Sequence, residues 1–269
     1  MDDDVTLHGP ASWEGNPHRY GPVERVAVLS DVHANIPALE AVLAEPDVVA
    51  ADFVVLNGDL TWGPQPQETY ELIAALGDRA LCVRGNCDRY AAEIGTGVRV
   101  ADNPRQEWIA ARHPPEAIEF LTHLSFGVVV GIDGLGPVHF CHGSPRSDHE
   151  LVTPATPSER FARLSAAIDA RVLVTGHSHL QFDRAVAGLR SVNPGSVGHP
   201  YHSGEPGTAH WALLGPDVRL RTTRYDVSDA VTRAHRAAYP DAERYAATLL
   251  TPPAPEEIVE EAESLVFVN

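Results

Sequence analysis

Residues 26–33 read VAVLSDVH. An apolar run suited to a buried strand ends in an aspartate and a histidine two positions apart, and both side chains bind metal ions well. One such ending carries little weight, because Asp31 also reads as a cap for a helix starting near Pro37. The ending recurs, however. FVVLNGD (53–59) finishes in Asp59, and LCVRGNCD (81–88) passes through Asn86. VHFCHG (138–143) delivers His142, and VLVTGHSH (172–179) delivers His177 and His179. The apolar runs are continuous rather than alternating, so their strands are expected to be covered on both faces. Helical spacing in PALEAVLAE (37–45) and PQETYELIAALG (66–77) separates the first three. This alternation predicts an α/β chain with polar side chains gathered at the carboxyl edge of a sheet, where open α/β folds place their ligand crevices.

Working outward, NPRQEWIAARHPPEAIEFLTHL (103–124) reads as two helices broken at Pro114 and Pro115. TPSERFARLSAAIDA (156–170) reads as a helix with Ser158 as a candidate cap. The expected organisation is an irregular N-terminal arm over 1–22, a main domain over 23–226, and a helical extension with an acidic tail over 227–269. The arm is polar and rich in Gly and Pro, and the tail is expected to be solvated or to form an extra packing segment.

The chain has 269 residues, 43% of them hydrophobic, which is ample for a substantial core. No apolar run reaches the ~18 residues of a membrane-spanning helix. The start, MDDDVTLHGP, lacks the features of a secretory signal. Three cysteines without C-x-x-C spacing fit a reducing compartment, so the expected location is the cytoplasm. A net charge of -17 argues against bulk nucleic-acid binding. It leaves room for a small anionic substrate, since bound divalent cations can reverse the field inside a pocket.

If the strands are neighbours, Asp31, His33, Asp59, Asn86, His142, His177 and His179 come together. Imidazole with carboxylate suits Mn, Fe, Ni or Zn better than Ca or Mg. Two such cations can clamp a phosphoryl group and activate a water between them. Gly58, Gly85, Gly143 and Gly176 flank these residues, where the chain must turn sharply. The order DVH, GD, GNCD, HG, GHSH resembles the calcineurin-like metallophosphoesterase superfamily, over roughly residues 25–215. More narrowly it is similar to small bacterial phosphodiesterases with GNCD as third motif, and NPGSVG (193–198) is typical of that branch.

The resemblance implies a sandwich of two mixed β-sheets flanked by helices, a four-layer α/β/β/α arrangement. It implies that Asp31, His33, Asp59 and His179 bind one metal, and that Asp59, Asn86, His142 and His177 bind the other, with manganese favoured. It further implies phosphate-ester hydrolysis by in-line attack of a metal-bridging hydroxide, with Asn86 and His142 among the catalytic groups. Asp88 is expected to orient the loop around Asn86.

Cys87 departs from the commoner GNHD form, whose histidine assists the leaving group. A thiol is a poor substitute for an imidazolium near neutral pH. His199 and His202 are candidate replacements. His8, His18, His113, His123, His149, His210 and His235 read as surface or partly buried groups, and His139 as structural. Rival readings are a phosphomonoesterase or protein phosphatase, and a non-catalytic metal-binding scaffold. Specificity is expected in residues 89–125 and 199–210, no basic cluster marks a polyphosphate site, and a homo-oligomer is open.

Overall fold

The computed structural model describes residues 4–6 and 17–268. Two strands come first, β1 (Asp4–Thr6) and β2 (His18–Val23). The run VAVL forms β3 (Val26–Leu29), followed by α1 (Ile36–Leu43) and the single turn α2 (Pro46–Val49). Asn35 starts α1 by accepting the Ala38 amide, and Pro37 sits in the first turn, where its missing N–H is harmless. Next come β4 (Phe53–Asn57), α3 (Pro66–Ala74), β5 (Ala80–Val83) and α4 (Asn86–Gly95). The tandem prolines split α5 (Pro104–Ala110) from α6 (Pro115–Thr122). Then follow β6 (Gly127–Ile132), β7 (Gly136–Cys141), α7 (Ser158–Leu164) and β8 (Val172–Val174). The chain continues through β9 (Gln181–Val186), β10 (Leu189–Pro194), β11 (Thr208–Leu214) and β12 (Val218–Arg224). It closes with α8 (Val227–Arg236), α9 (Ala242–Leu250), α10 (Pro255–Ser264) and β13 (Val266–Val268).

The strands form two mixed sheets, ordered β12-β11-β3-β4-β5 and β2-β6-β7-β8-β10-β9. In the first, β3, β4 and β5 run parallel, with Val28 opposite Val55 and Leu56 opposite Cys82. Successive side chains on β3 face opposite ways. Val26 and Val28 enter the core between the sheets, where they join Val55, Val130, Val138, Phe140 and Val174. Ala27 and Leu29 face the other way, onto Leu39 and Val42 of α1 and onto Trp211. The outer face of the second sheet, with Cys141, Leu173 and Phe182, packs on Phe161 and Leu164 of α7 and on Ile258 and Val259 of α10. The result is the expected four-layer sandwich, with both faces of β3 and β4 covered.

Two expectations are corrected, and of the two readings of the acidic tail the packing segment holds. His18–Val23, assigned to an irregular arm, is the edge strand of the six-stranded sheet and pairs parallel with β6. An edge strand joins its sheet through backbone bonds on one side and needs no apolar face, so HRYGPV gives no strand pattern. Residues 1–3 and 7–16 of the expected arm lie outside the described residues. Ser158 is the first residue of α7 rather than its cap, a position held by Pro157. The acidic tail is docked: Glu263 accepts hydrogen bonds from the hydroxyls of Thr153 (2.6 Å) and Thr156 (2.7 Å) and pairs with Arg160 at 3.3 Å. The C-terminal helices also share a core with earlier ones, since Ala230, Ala234, Tyr245 and Leu249 pack with Ala91, Ile109 and Leu121.

Candidate metal centre

The polar strand endings converge, but from two sheets rather than one. Asp31, His33, Asp59 and Asn86 follow β3, β4 and β5 of the five-stranded sheet, while His142, His177 and His179 follow β7 and β8 of the other. The rim of the sandwich is therefore the meeting point. Asp31, His33, Asp59, His177 and His179 all have left-handed backbone, with φ between 48° and 62°. Such conformations cost about 1 kcal/mol or more for non-glycine residues and persist where the surroundings over-determine them. Here the amides of Asp31, His33 and Ala34 donate to the carbonyls of Gly58, Asp59 and Leu60 at 2.9–3.1 Å. The turns let His177 and His179 face one region despite alternating in sequence.

Ligand-type atoms of Asp31, His33 and His179 lie within 4.8 Å of one another, as do those of Asp59, His142 and His177. Asp31 Oδ1 is 3.2 Å from His179 Nε2 and 3.9 Å from His142 Nε2. The two oxygens of Asp59 face different groups: Oδ1 is 3.4 Å from His142 Nε2, and Oδ2 is 3.7 Å from His33 Nε2. Backbone carbonyls fix the rings. A carbonyl only accepts, so the Nδ1–H of His142 donates to Asn57 at 2.8 Å, that of His179 to His199 at 2.7 Å, and that of His33 to Trp62 at 3.3 Å. Each bond turns Nε2 into the cluster, where a bound cation would take the place of its proton. His177 is held the other way round, through Nε2–H to the His149 carbonyl at 3.1 Å. His149, read from sequence as an ordinary surface or half-buried residue, thus supports a candidate ligand. It lies in the irregular segment after β7, and no pattern marks it.

These residues suit cations. Asp31 Oδ1, Asn86 Oδ1 and His142 Nε2 are buried without a hydrogen-bond partner. Buried acceptors left in that state are costly, and a divalent cation satisfies several at once. His33 Nε2 and His179 Nε2 are only 3.1 Å apart, an arrangement that calls for a shared positive charge. The donor set of imidazole, carboxylate and amide oxygen matches a transition-metal ion.

The fields are strong. Burial would raise the Asp31 carboxyl, but the His179 and His142 imidazoles outweigh it and hold Asp31 at about 2. Burial disfavours protonated His142, yet Asp59 and Asp31 push it up to about 10. Burial, joined by the charge on His142, pulls His177 down to about 3. Burial and then Asp59 push the Cys87 thiol well above its ordinary range, which strengthens the case against it as a proton donor.

Asp88 does not line the cavity. It is fully buried and its carboxylate accepts the amides of Asp59 (2.8 Å), Leu60 (2.9 Å) and Gly85 (2.9 Å). It is placed to fix the loops carrying Asp59 and Asn86 rather than to touch a reacting group. His199 lines the cavity, with its ring 5.4 Å from that of His33 and 4.9 Å from that of Tyr245. Burial, then the charges of His33 and His179, hold it well below the ordinary imidazole range. A neutral ring is a poor general acid. His202 stands elsewhere, accepting the Gly204 amide and packing on His210.

The cluster opens into a cavity of about 320 Å³ whose far wall includes Arg105, Tyr201, Tyr239, Arg244 and Tyr245. Arg105 falls within the segment expected to carry specificity, and so does Tyr201. Tyr239, Arg244 and Tyr245 belong to the C-terminal extension, whose sequence carries no sign of a part in the site.

A family model described as the calcineurin-like phosphoesterase superfamily domain matches residues 25–214. An uncharacterised protein of Methanocaldococcus jannaschii is 25% identical over 245 residues, covering 80% of this chain and 94% of that one. The crystal structure of a metallophosphoesterase from Sphaerobacter thermophilus has a TM-score of 0.65 at 26% identity and covers 84% of this chain and 98% of its own. That of a hypothetical protein from Pyrococcus horikoshii has a TM-score of 0.71 at 21% identity, covering 86% and 99%, and speaks for the fold.

Proposed function

This chain belongs to the calcineurin-like phosphoesterase superfamily, and we propose that it is a dinuclear-metal phosphodiesterase. In this reading Asp31, His33, Asp59 and His179 hold one cation, and Asp59, Asn86, His142 and His177 hold the other. Manganese is the favoured metal of a set that includes iron, nickel and zinc. The observation that carries the reading is Asp59. Its two oxygens face two separate groups of imidazoles, as a carboxylate between two cations should. Divalent cations in these positions polarise a phosphoryl group and supply a nucleophilic water near neutral pH.

The chain's own residues do the positioning. Backbone carbonyls aim His33, His142 and His179, and Asp88 holds the Asp59 loop. Asn86 lines the cavity, so its amide N–H can serve the phosphoryl oxygens, whereas His142 is buried behind it and acts as a ligand. His199 in its neutral form can hydrogen-bond a substrate oxygen. Cys87 supplies no proton, so the reading favours esters whose alcohol leaves without help at that position. The diester preference rests on the GNCD and NPGSVG motifs of the phosphodiesterase branch. A non-catalytic scaffold is disfavoured because all seven positions are kept and converge. No described helix is long and apolar enough to cross a membrane. With three free cysteines among the described residues, a reducing cytoplasm is the proposed location.

The test is metal analysis of the purified protein, then hydrolysis of bis(p-nitrophenyl) phosphate and p-nitrophenyl phosphate with added Mn²⁺. The diester should be the better substrate, and Asp59→Asn should lose at least about a hundredfold in rate. A variant as active as its parent, or a parent that takes up no cation, defeats the proposal.

A further inference from the structure

We infer that Arg244 recognises a second anionic group on the alcohol portion of the ester. The inference rests on the phosphoesterase reading and names the substrate class of that same cavity: small organic phosphate esters whose alcohol half carries its own carboxylate or phosphate.

Arg244 lies on α9 and lines the cavity at its exposed rim. Among the described residues it has no ion-pair partner. Arg105, the other cation of this wall, differs. Its Nη1 lies 3.1 Å from Asp241 Oδ2, so its charge is largely answered within the protein. In a chain of net charge -17, an unpaired guanidinium in the same cavity as the candidate metal centre supplies positive charge that a second anionic group can use. A guanidinium offers paired donors that fit a carboxylate or phosphate.

Tyr201 lines the same cavity, and its ring stacks on His179, with centroids 4.8 Å apart and planes at 18°. One cavity therefore joins the candidate metal centre to Arg244. Its volume of about 320 Å³ admits a phosphoryl group together with one aromatic ring. The acidic surface disfavours a polymeric anion, because screening over about 8 Å leaves the remaining surface repulsive. Sequence reading found no basic cluster because Arg105 and Arg244 come from α5 and α9 and meet only in the fold.

The experiment compares methyl 4-carboxyphenyl phosphate with methyl 4-carbamoylphenyl phosphate on the Mn²⁺-loaded full chain. The pair differs by one charge at the far end of the ring. The ratio of their kcat/KM values is measured in the parent and in Arg244→Gln, so differences in leaving-group strength cancel. The parent ratio should exceed the variant ratio by about tenfold, the size of a partly exposed charge-assisted contact. Arg244→Lys should recover part of the difference, and Asp241→Asn, which frees Arg105, should raise the preference for the carboxylate. An unchanged ratio in Arg244→Gln overturns the inference, even where both rates fall together. If neither ester is cleaved, the phosphodiesterase reading fails, and calorimetric titration of the same two compounds decides the anion site separately. Equal affinities in the parent then overturn it. A carboxylate preference that Arg244→Gln abolishes supports it.

Discussion

Asp88→Ala should destabilise the protein by about 3 kcal/mol, and by more when the centre holds metal. The carboxylate of Asp88 accepts three backbone amides, those of Gly85, Asp59 and Leu60, in a fully buried position. An unpaired buried donor costs about 2 kcal/mol in the middle of the usual range, which gives about 6 kcal/mol for three. Part of this is offset. Burial, and next the nearby Asp59 charge, raise the Asp88 carboxyl from 3.8 to about 6. Keeping it ionised at pH 7 therefore costs about 3 kcal/mol, at 1.36 kcal/mol per pH unit, and alanine removes that cost. The net loss corresponds to about 6–12 °C in Tm for a chain of this size. A cation on Asp59 neutralises the neighbour that repels Asp88, so the offset shrinks and the penalty grows. Differential scanning fluorimetry of parent and variant, in chelator and in Mn²⁺, reads both effects. A variant within 2 °C of the parent in both conditions, or a gap that narrows with Mn²⁺, refutes the reasoning.

Three further outcomes are expected. Chelation should stop ester hydrolysis and lower Tm, and manganese at about a hundred times its Kd should restore about 2.7 kcal/mol; a Tm indifferent to chelator contradicts metal binding at the centre. Gly85→Ala should lower the cation content per chain measured by atomic emission, because a Cβ there collides with the amide and Oδ1 of Asp59; full metal loading in that variant speaks against the close approach. Burial holds His113 at about 4, with its Nε2 2.8 Å from the Thr61 hydroxyl. The unfolded chain binds that proton near 6.5 and the folded chain does not, so stability is lost as pH falls from 6.5 towards 4, by up to about 3 kcal/mol. Urea midpoints at pH 7 and pH 5 should differ less in His113→Gln than in the parent, and equal differences would exclude His113 as a source.

What the sequence reveals depends on how a residue signals its place. β3 and β4 are legible because continuous apolar runs have few other uses, and the residues that follow are legible because a strand end is a fixed point in the pattern. β2 is not, since HRYGPV is exposed along nearly its whole length and shows no apolar pattern, although it is held by backbone bonds to β6, the Arg19–Asp169 pair and the Tyr20–Phe53 contact. The far wall of the cavity is hidden for another reason. The spacing in α9 reports that Tyr245 and Leu249 are buried, but not that Arg244 looks into a site built from β3, β4, β7 and β8. A helix pattern identifies a buried face and says nothing about what lies beyond its rim.

NPGSVG shows the opposite case, a motif whose physical reason is visible only in three dimensions. The Gly198 amide donates to the Asp31 carbonyl at 3.0 Å, and the Ser196 hydroxyl donates to the same oxygen at 2.7 Å. A Cβ on Gly198 would strike the Val32 carbonyl, so only glycine lets this loop press on the DVH turn. Asp31 and His33 are both left-handed there, and an unsupported turn would relax towards ordinary backbone. The loop removes that option by occupying the carbonyls that would have to rotate. It also carries His199, whose carbonyl fixes the His179 ring. The hexapeptide thus holds one candidate ligand, Asp31, through its backbone, and the residue that follows it orients another, His179, through its ring. Binding strength at the centre should therefore depend on residues that never touch a cation.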